Sequence, residues 1–253
     1  MSVLDRIKQY EEQEGNFILL AGDRFGGKTT NLGSLPGKTL LLEIADKESG
    51  SKGAIALAKD LGNHVDVVTA YDCADVIAIV TEALEMDYDN IAVDGLSALT
   101  EVESEKPDIK KQLLNSSKKW DGWREVGGRV IEVLEFLKRT ARETGKTTVL
   151  TLALKVKYDA EGNVYQNDVD AKGNMAIGFI KGKCPYYVIA RKTTDPDGIP
   201  LRVIQTIDAD GFNARLDGFL EKDNPKGFRC EKEKVGEGEP VGLAALLNFL
   251  NGE

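Results

Sequence analysis

The chain of 253 residues carries 42 acidic and 33 basic side chains, for a net charge of −9, and 42% of its residues are hydrophobic. This balance is ordinary for a globular protein and argues against broad nonspecific attraction to nucleic acid, so a nucleic-acid site has to be a local basic patch. The single His64 and three widely spaced cysteines disfavour histidine chemistry and show no zinc pattern. We expect neither a membrane span nor a signal peptide, because no apolar run approaches ~18 residues, and we expect a reducing cytoplasm.

The first part of the chain alternates apolar runs with amphipathic segments. Helical spacing after Asp72, and again from Trp123 to Glu143 ahead of Gly145, predicts two of the intervening helices. Apolar strands separated by helices predict an α/β fold with a mostly parallel sheet buried on both faces. The predicted strands are Asn16–Ala21, Thr39–Ala45, His64–Ala70, Asn90–Gly95 and Thr147–Leu154.

The later part of the chain changes character. The turn sequences "DAEGN" and "DPDG" between alternating runs predict antiparallel strands that extend the sheet. A polar linker, "EKEKVGEGEP", precedes "PVGLAALLNFL", which predicts a short terminal helix with Pro240 in its first turn. At the other end, Val3, Leu4, Ile7 and Tyr10 form an apolar stripe. Both end segments are candidates for covering the sheet, docking on a neighbouring copy or, for the terminal helix, binding a partner protein.

The segment "GDRFGGKT", residues 22–29, fits the phosphate-loop pattern G-x-x-x-x-G-K-[ST] between a predicted strand and a helix-compatible segment. In such a loop the glycines let backbone N–H groups converge on phosphate oxygens. We predict that Lys28 reaches the β- and γ-phosphates and that the Thr29 hydroxyl ligates Mg²⁺. The candidate nucleotide-binding residues are Gly22, Asp23, Arg24, Phe25, Gly26, Gly27, Lys28, Thr29 and Thr30.

Acidic residues at strand ends complete the predicted site. Asp94 ends the fourth strand and is predicted to join Thr29 in holding magnesium. Two predicted strands lie between the phosphate loop and Asp94, as in the additional-strand class of NTPases, in which a glutamate polarises the attacking water. Glu48 follows the second strand and is the favoured catalytic glutamate, with Glu43 inside that strand and Asp46 as the alternatives.

The order of "FILLAGDRFGGKTT", "LLLEIADKESGS", "IAVDGLSALT" and "TTVLTLAL" resembles the RecA-like ATPase core. It is most similar to the short ATP-binding proteins of bacteriophages that are associated with single-strand annealing and recombination. The resemblance implies a RecA-like P-loop NTPase fold over residues 15–220, between an N-terminal amphipathic segment, 1–14, and an acidic linker with a short helix, 221–253. It also implies hydrolysis of ATP with Mg²⁺, and a homo-oligomer with ATP near the protomer interface. The implied partners are single-stranded DNA and a single-strand-binding protein, in the cytoplasm of an infected bacterium.

The same resemblance implies roles for individual residues. Asp46-Lys47-Glu48 matches a D-x-E that follows the second strand in the family, which supports Glu48 as the catalytic glutamate. Thr151 lies in the segment similar to the family's sensor strand and is a further catalytic candidate. Arg215, in "DADGFNARLDGF", corresponds to a basic residue, usually lysine, that touches the γ-phosphate bound by a neighbouring copy.

In RecA-like proteins two loops that leave the strand tips face the DNA. The first corresponds to "EVESEKPDIKKQLLNSSKKWDGWR", whose tryptophans either stack on bases or pack the next helix on the core. The second covers about residues 155–183 and carries a weaker basic pattern. A competing hypothesis is a nucleotide-gated assembly protein that binds a protein partner and no DNA; a packaging or helicase motor is a third, without a segment specific to it. The predicted DNA-binding residues are Lys110, Lys111, Lys118 and Lys119.

Overall fold

The structure of the protein is a computed structural model. It describes residues 15–23, 26–45, 50–160, 164–170, 184–195, 197–209, 212, 214–218, 225, 227–231 and 238–252. The apolar stripe within residues 1–14, the loop residues Arg24 and Phe25, and the acids Asp46 and Glu48 lie outside these ranges.

The described residues form strands and helices that alternate along the first part of the chain. The strands are β1 (Phe17–Gly22), β2 (Lys38–Ile44), β3 (His64–Ala70), β4 (Asn90–Asp94), β5 (Thr147–Tyr158), β6 (Val164–Val169), β7 (Tyr186–Thr194), β8 (Pro200–Gln205), β9 (Arg215–Leu216) and β10 (Gly227–Arg229). The helices are α1 (Lys28–Leu32), α2 (Ser51–Leu61), α3 (Cys73–Ala83), α4 (Leu96–Glu105), α5 (Pro107–Leu114), α6 (Lys119–Thr144) and α7 (Gly242–Asn251).

One mixed sheet organises these elements. Its order is β10-β8-β7-β1-β5-β4-β2-β3, with β6 paired to β5 and β9 paired to β7. The six strands from β7 to β3 in this order are parallel to their neighbours, and the remaining pairings are antiparallel. β5 separates β1 from β4. Beyond Ala153, β5 leaves the parallel sheet and pairs with β6 as a hairpin.

Both faces of the sheet are covered, which explains why its central strands are apolar at nearly every position. Leu19 and Ala21 of β1 belong to a core on the face covered by α3, α4 and α6. Ile18 and Leu20 belong to a second core, packed under α1, α2 and α7. Because successive side chains leave a strand on opposite faces, a strand between two helix layers must be apolar on both.

The sequence predictions of local structure hold with small shifts. The five predicted strands occur within two residues of their expected starts, and the α/β class with a mostly parallel, helix-flanked sheet is confirmed. The Asp72 carboxylate accepts the Asp75 N–H at 2.8 Å and caps α3, and Gly145 ends α6 with φ of 70°. The prediction for Pro240 is wrong: it lies ahead of α7, whose N-cap is Val241. Among the described helices, none has the length and apolarity needed to cross a membrane.

Candidate functional site

The candidate site lies at the edge of the sheet where the parallel strands have their carboxyl ends. Pairing aligns Glu43 of β2 with Asp94 of β4, and Asp94 with Thr151 of β5. Thr151 is in turn aligned with Leu20 of β1, two residues before Gly22 and the glycine-rich loop. Four strands therefore deliver polar residues and the loop to one edge, the position at which α/β sheets bind ligands.

Asp94 is the centre of this arrangement. Its carboxylate is fully buried, and it accepts a hydrogen bond from the Thr29 hydroxyl at 2.8 Å. The Thr151 hydroxyl donates to the other carboxylate oxygen. Thr151 is itself buried and contacts Asp94 from β5, so the geometry fits a residue that positions the carboxylate. The structure thus joins three predicted site residues that are far apart in the chain.

The glycines of the loop are required by close backbone approach. A Cβ atom at Gly22 would lie 2.2 Å from the Ala190 carbonyl oxygen of β7, and one at Gly26 would lie 2.3 Å from the same oxygen. Gly27 has φ of 84°, a left-handed conformation that favours glycine. The loop is therefore pressed onto β7 before α1 begins at Lys28.

Lys28 directs its ammonium group back into the loop. Its Nζ donates to the carbonyl oxygens of Gly22, at 3.0 Å, and Asp23. The Gly27 carbonyl in turn accepts the backbone N–H and the side-chain amide of Asn31, at 2.9 Å and 3.0 Å. The Lys28 ammonium group and the backbone of the glycine-rich loop are thus held within one helical turn of Thr29.

The candidate acids differ in what the structure says of them. Glu43 accepts the backbone N–H of Ser51 at 3.1 Å, so its carboxylate caps the first turn of α2. Glu48 lies outside the described residues, but the chain on both sides of its segment is at the site. A Cβ atom at Gly50 would lie 3.0 Å from the Thr29 hydroxyl oxygen. A helix-capping role for Glu43 leaves the favoured position of the base at Glu48 unchanged.

Thr30 and Arg215, two further predicted nucleotide-binding residues, do not face the glycine-rich loop. Thr30 points toward α2, where a Cβ atom at Gly53 would lie 2.8 Å from its hydroxyl. Arg215 on β9 pairs with Tyr187 near the start of β7, about 10 Å along the strand from Ala190 and the loop. Its guanidinium binds the Cys184 carbonyl and, at 2.8 Å, the Asp217 carboxylate. Arg215 is therefore not part of this chain's own site, and contact with a neighbouring copy stays a prediction.

The segment predicted as the first DNA-facing loop is helical, which corrects that expectation. Pro107 occupies the first position of α5, and Gly122 lets α6 pack closely on Leu113, so the segment folds as a helical pair. Trp120 is 75% exposed, whereas Trp123 is half-buried. All four predicted DNA-binding lysines are exposed, and Lys110 pairs with Glu105.

The second predicted DNA loop is described in part. The β5–β6 hairpin carries Lys155, which pairs with Asp170 at 2.7 Å, while residues 171–183 lie outside the described ranges. The structure also brings Arg202 of β8 to the glycine-rich loop, a residue that sequence reasoning missed. In the sequence, Arg202 is one polar residue of an alternating strand that follows a turn, which gives no sign of a site. Only the pairing of β8 with β7 places Arg202 beside the glycine-rich loop.

Comparison of the chain with protein-family models and with curated proteins gives no match.

Proposed function

We propose that the protein is a RecA-like P-loop NTPase that binds ATP with Mg²⁺, hydrolyses it and acts on single-stranded DNA in phage recombination or replication. The observation that carries the nucleotide part is the meeting of Thr29, Asp94 and Thr151 beside a complete phosphate-loop sequence. The strand order supports the same proposal. Along the chain, β2 and β3 lie between the loop and Asp94, and in the sheet β5 stands between the loop strand β1 and the acid-bearing strand β4. That is the arrangement expected of the additional-strand class.

The residues at the site fit a magnesium–triphosphate. The Thr29 hydroxyl and the Asp94 carboxylate offer oxygen ligands of the kind that Mg²⁺ prefers, and the metal would neutralise charge on the β- and γ-phosphates. Lys28 would exchange its two carbonyl acceptors for phosphate oxygens, a stronger charge-assisted contact. Glu48 would take a proton from the attacking water, and Thr151 would hold Asp94 in place.

The DNA part of the proposal is supported by the exposed lysines of α5 and α6 together with the exposed indole of Trp120. Such a surface offers phosphate contacts and a stacking platform on a protein whose net charge is otherwise negative. A protein partner is the second candidate, because Leu114, the last residue of α5, is 80% exposed, and an aliphatic side chain has no face on which a base stacks.

Replacement of Lys28 by alanine tests the nucleotide site. The variant should bind a fluorescent ATP analogue with magnesium at least about tenfold more weakly, because a charge-assisted phosphate contact is removed. Thermal unfolding of both proteins without nucleotide gives the control for folding. Equal affinity of the wild type and Lys28→Ala would refute the assignment of the loop.

A further inference from the structure

Arg202 lies against the loop residue that precedes Lys28. A Cβ atom at Gly27 would be 3.0 Å from Arg202 Cδ and 3.5 Å from its Nε. The stem of an arginine side chain is therefore in contact with the backbone of the glycine-rich loop. It comes from β8, two strands from β1, whereas Asp94 comes from β4, two strands from β1 on the other side.

A second cation stands directly beside it. Lys192 of β7 is the register partner of Arg202 in the antiparallel β7–β8 pair, so both side chains leave the sheet on the same face. Their Cβ atoms are then about 5 Å apart, a spacing at which like charges repel. Both residues are exposed. Two cationic side chains on one face of the sheet raise the positive potential beside the loop, which favours a bound anion.

Glu231, an acid beside Arg202, is engaged mainly by the Arg202 backbone. Both carboxylate oxygens of Glu231 accept the Arg202 backbone N–H, at 2.8 Å and 3.0 Å. The Arg202 guanidinium Nη1 is 3.8 Å from Glu231, and the side chain is 47% exposed. The guanidinium can therefore reach a ligand over the loop while Glu231 stays anchored to β8.

From this juxtaposition we infer that Arg202 is a second phosphate-binding cation of the site, acting from the same chain on the flank of the loop away from Asp94. Its planar fork suits two oxygens of a polyphosphate, and Lys192 adds positive potential beside it. The inference rests on the proposed nucleotide site and deepens it, because it assigns a polyphosphate contact that the phosphate-loop sequence does not contain.

The test compares Arg202→Ala with Arg229→Ala. Arg229 is an exposed arginine on β10 whose register partner is Val203, so its side chain leaves the same edge of the sheet on the opposite face. Affinity is measured for a fluorescent ATP analogue and, by competition, for ATP and inorganic tripolyphosphate with magnesium. Arg202→Ala should weaken ATP and tripolyphosphate alike by about tenfold or more, and Arg229→Ala should change neither by more than about twofold.

Two more variants separate a phosphate contact from a structural role. Arg202→Lys keeps the charge and should recover part of the affinity, whereas Arg202→Gln keeps much of the length without the charge and should not. Arg202→Gln also serves if Arg202→Ala fails to fold. An effect on ATP without an effect on tripolyphosphate would overturn the inference.

The outcomes also distinguish this inference from the proposed function. If Lys28→Ala loses nucleotide binding while Arg202→Ala and Arg202→Gln bind like the wild type, only the inference fails. If the wild type binds neither ATP nor tripolyphosphate, the proposed function fails and the inference falls with it.

Discussion

At the scale of single residues, the site depends on hydroxyl groups that orient one buried carboxylate. One carboxylate oxygen of Asp94 accepts a hydrogen bond from the Thr29 hydroxyl and the other accepts one from the Thr151 hydroxyl. These donors are 65 and 57 residues away along the sequence. A buried carboxylate without such donors would be costly, so the two threonines both stabilise Asp94 and fix its direction. Each Asp94 oxygen keeps a second lone pair that can face Mg²⁺, and the acid proposed to activate water is a different residue.

Exchanging the two candidate glutamates for glutamine tests where that base is. Glu48→Gln should bind ATP as the wild type does and lose turnover, because an amide cannot accept the proton of water. Glu43→Gln should retain turnover, since an amide oxygen can still accept the Ser51 N–H at the start of α2. Phosphate release and ATP-analogue binding are measured for both variants.

The opposite pattern, with turnover normal in Glu48→Gln and absent in Glu43→Gln, would place the base on β2. Loss of binding by Glu48→Gln would instead give that residue a role in holding the nucleotide.

At the scale of elements, the helix that follows Asp94 is anchored at its far end by ion pairs around one buried carboxylate. Glu103 of α4 is fully buried; its carboxylate accepts the Cys73 N–H at 2.9 Å and binds Arg129 of α6 at 3.0 Å. Lys106 bridges Glu103 and Asp72, at 3.0 Å each. Burial alone would raise the pKa of Asp72, but hydrogen bonds from the Asp75 N–H and Lys106 hold it below the usual value. The cluster ties the far end of α4 to the start of α3 and to α6.

Glu103→Gln should lower the free energy of unfolding by about 3 kcal/mol, because it removes the buried charge that pairs with Arg129 and Lys106. Glu125→Gln is the matched control, since Glu125 also binds Arg129 but is 39% exposed, and it should cost no more than about 1 kcal/mol. Urea unfolding of the three proteins gives the comparison. Equal destabilisation by both changes would show that the burial of Glu103 does not matter.

The four exposed lysines proposed to contact DNA are Lys110 and Lys111 of α5, Lys118 at the N-cap of α6 and Lys119 in its first turn. Replacing the four lysines by alanine should weaken binding to a single-stranded oligonucleotide. It should also flatten the slope of log affinity against log salt by about 0.7 for each phosphate that is no longer neutralised. ATP binding should stay intact, because Lys28 and Asp94 are unchanged. A control with the same charge change replaces exposed cations on α2 and α6, namely Lys52, Lys59, Arg139 and Arg142.

The readout is oligonucleotide titration at several salt concentrations with an ATP analogue. Equal slopes of log affinity against log salt for the lysine variant and its control would show that these lysines do not contact DNA. No DNA binding by the wild type would favour the protein-partner hypothesis for the exposed Leu114 and Trp120.

At the scale of the whole molecule, the last helix of the described chain is part of the core beneath the glycine-rich loop. Leu243 and Leu246 of α7 pack in the same cluster as Leu20 and Leu32. The Leu243 N–H donates to the Ser34 hydroxyl at 2.9 Å, across 209 residues of sequence. The helix thus covers its own sheet next to α1, one of the options that its sequence left open.

Leu246→Ala should destabilise the protein by about 3 kcal/mol, because it leaves a cavity in a fully buried position. Leu250→Ala, at a half-buried position of the same helix, should cost clearly less. The Cys230 thiol packs in this core, and burial raises its pKa to about 12, so it should react slowly with a thiol reagent at pH 8. Faster modification of Cys230 in Leu246→Ala than in Leu250→Ala is the expected local readout.

Unchanged unfolding and unchanged Cys230 reactivity in Leu246→Ala would mean that α7 contributes little to this core. Unfolding is followed in urea, and thiol modification is followed by mass.

Much of this protein is determined by short stretches of its sequence. The five parallel strands, the Asp72 cap, the Gly145 helix end and the glycine-rich loop follow from apolar runs and from residues that act within one turn of themselves. Asp94 could be predicted for the same reason, since it ends an apolar strand. The form of the segment after α4 could not be predicted from local patterns. A loop was expected there, but Pro107 begins a helix and Gly122 lets the next helix pack against it.

Only the tertiary structure decided which residues meet at the candidate site. Strand order placed Thr151 behind Asp94, Ala190 under the glycine-rich loop, and Arg202 beside Gly27, because neighbours in a sheet are chosen by pairing between distant segments. It also placed Arg215 away from this chain's own loop. Local sequence patterns predict which face of a strand or helix is apolar, but they do not predict which strands become neighbours in the sheet. The phosphate-loop pattern is therefore visible in the sequence, whereas the cation on its second flank becomes visible only when β8 pairs with β7.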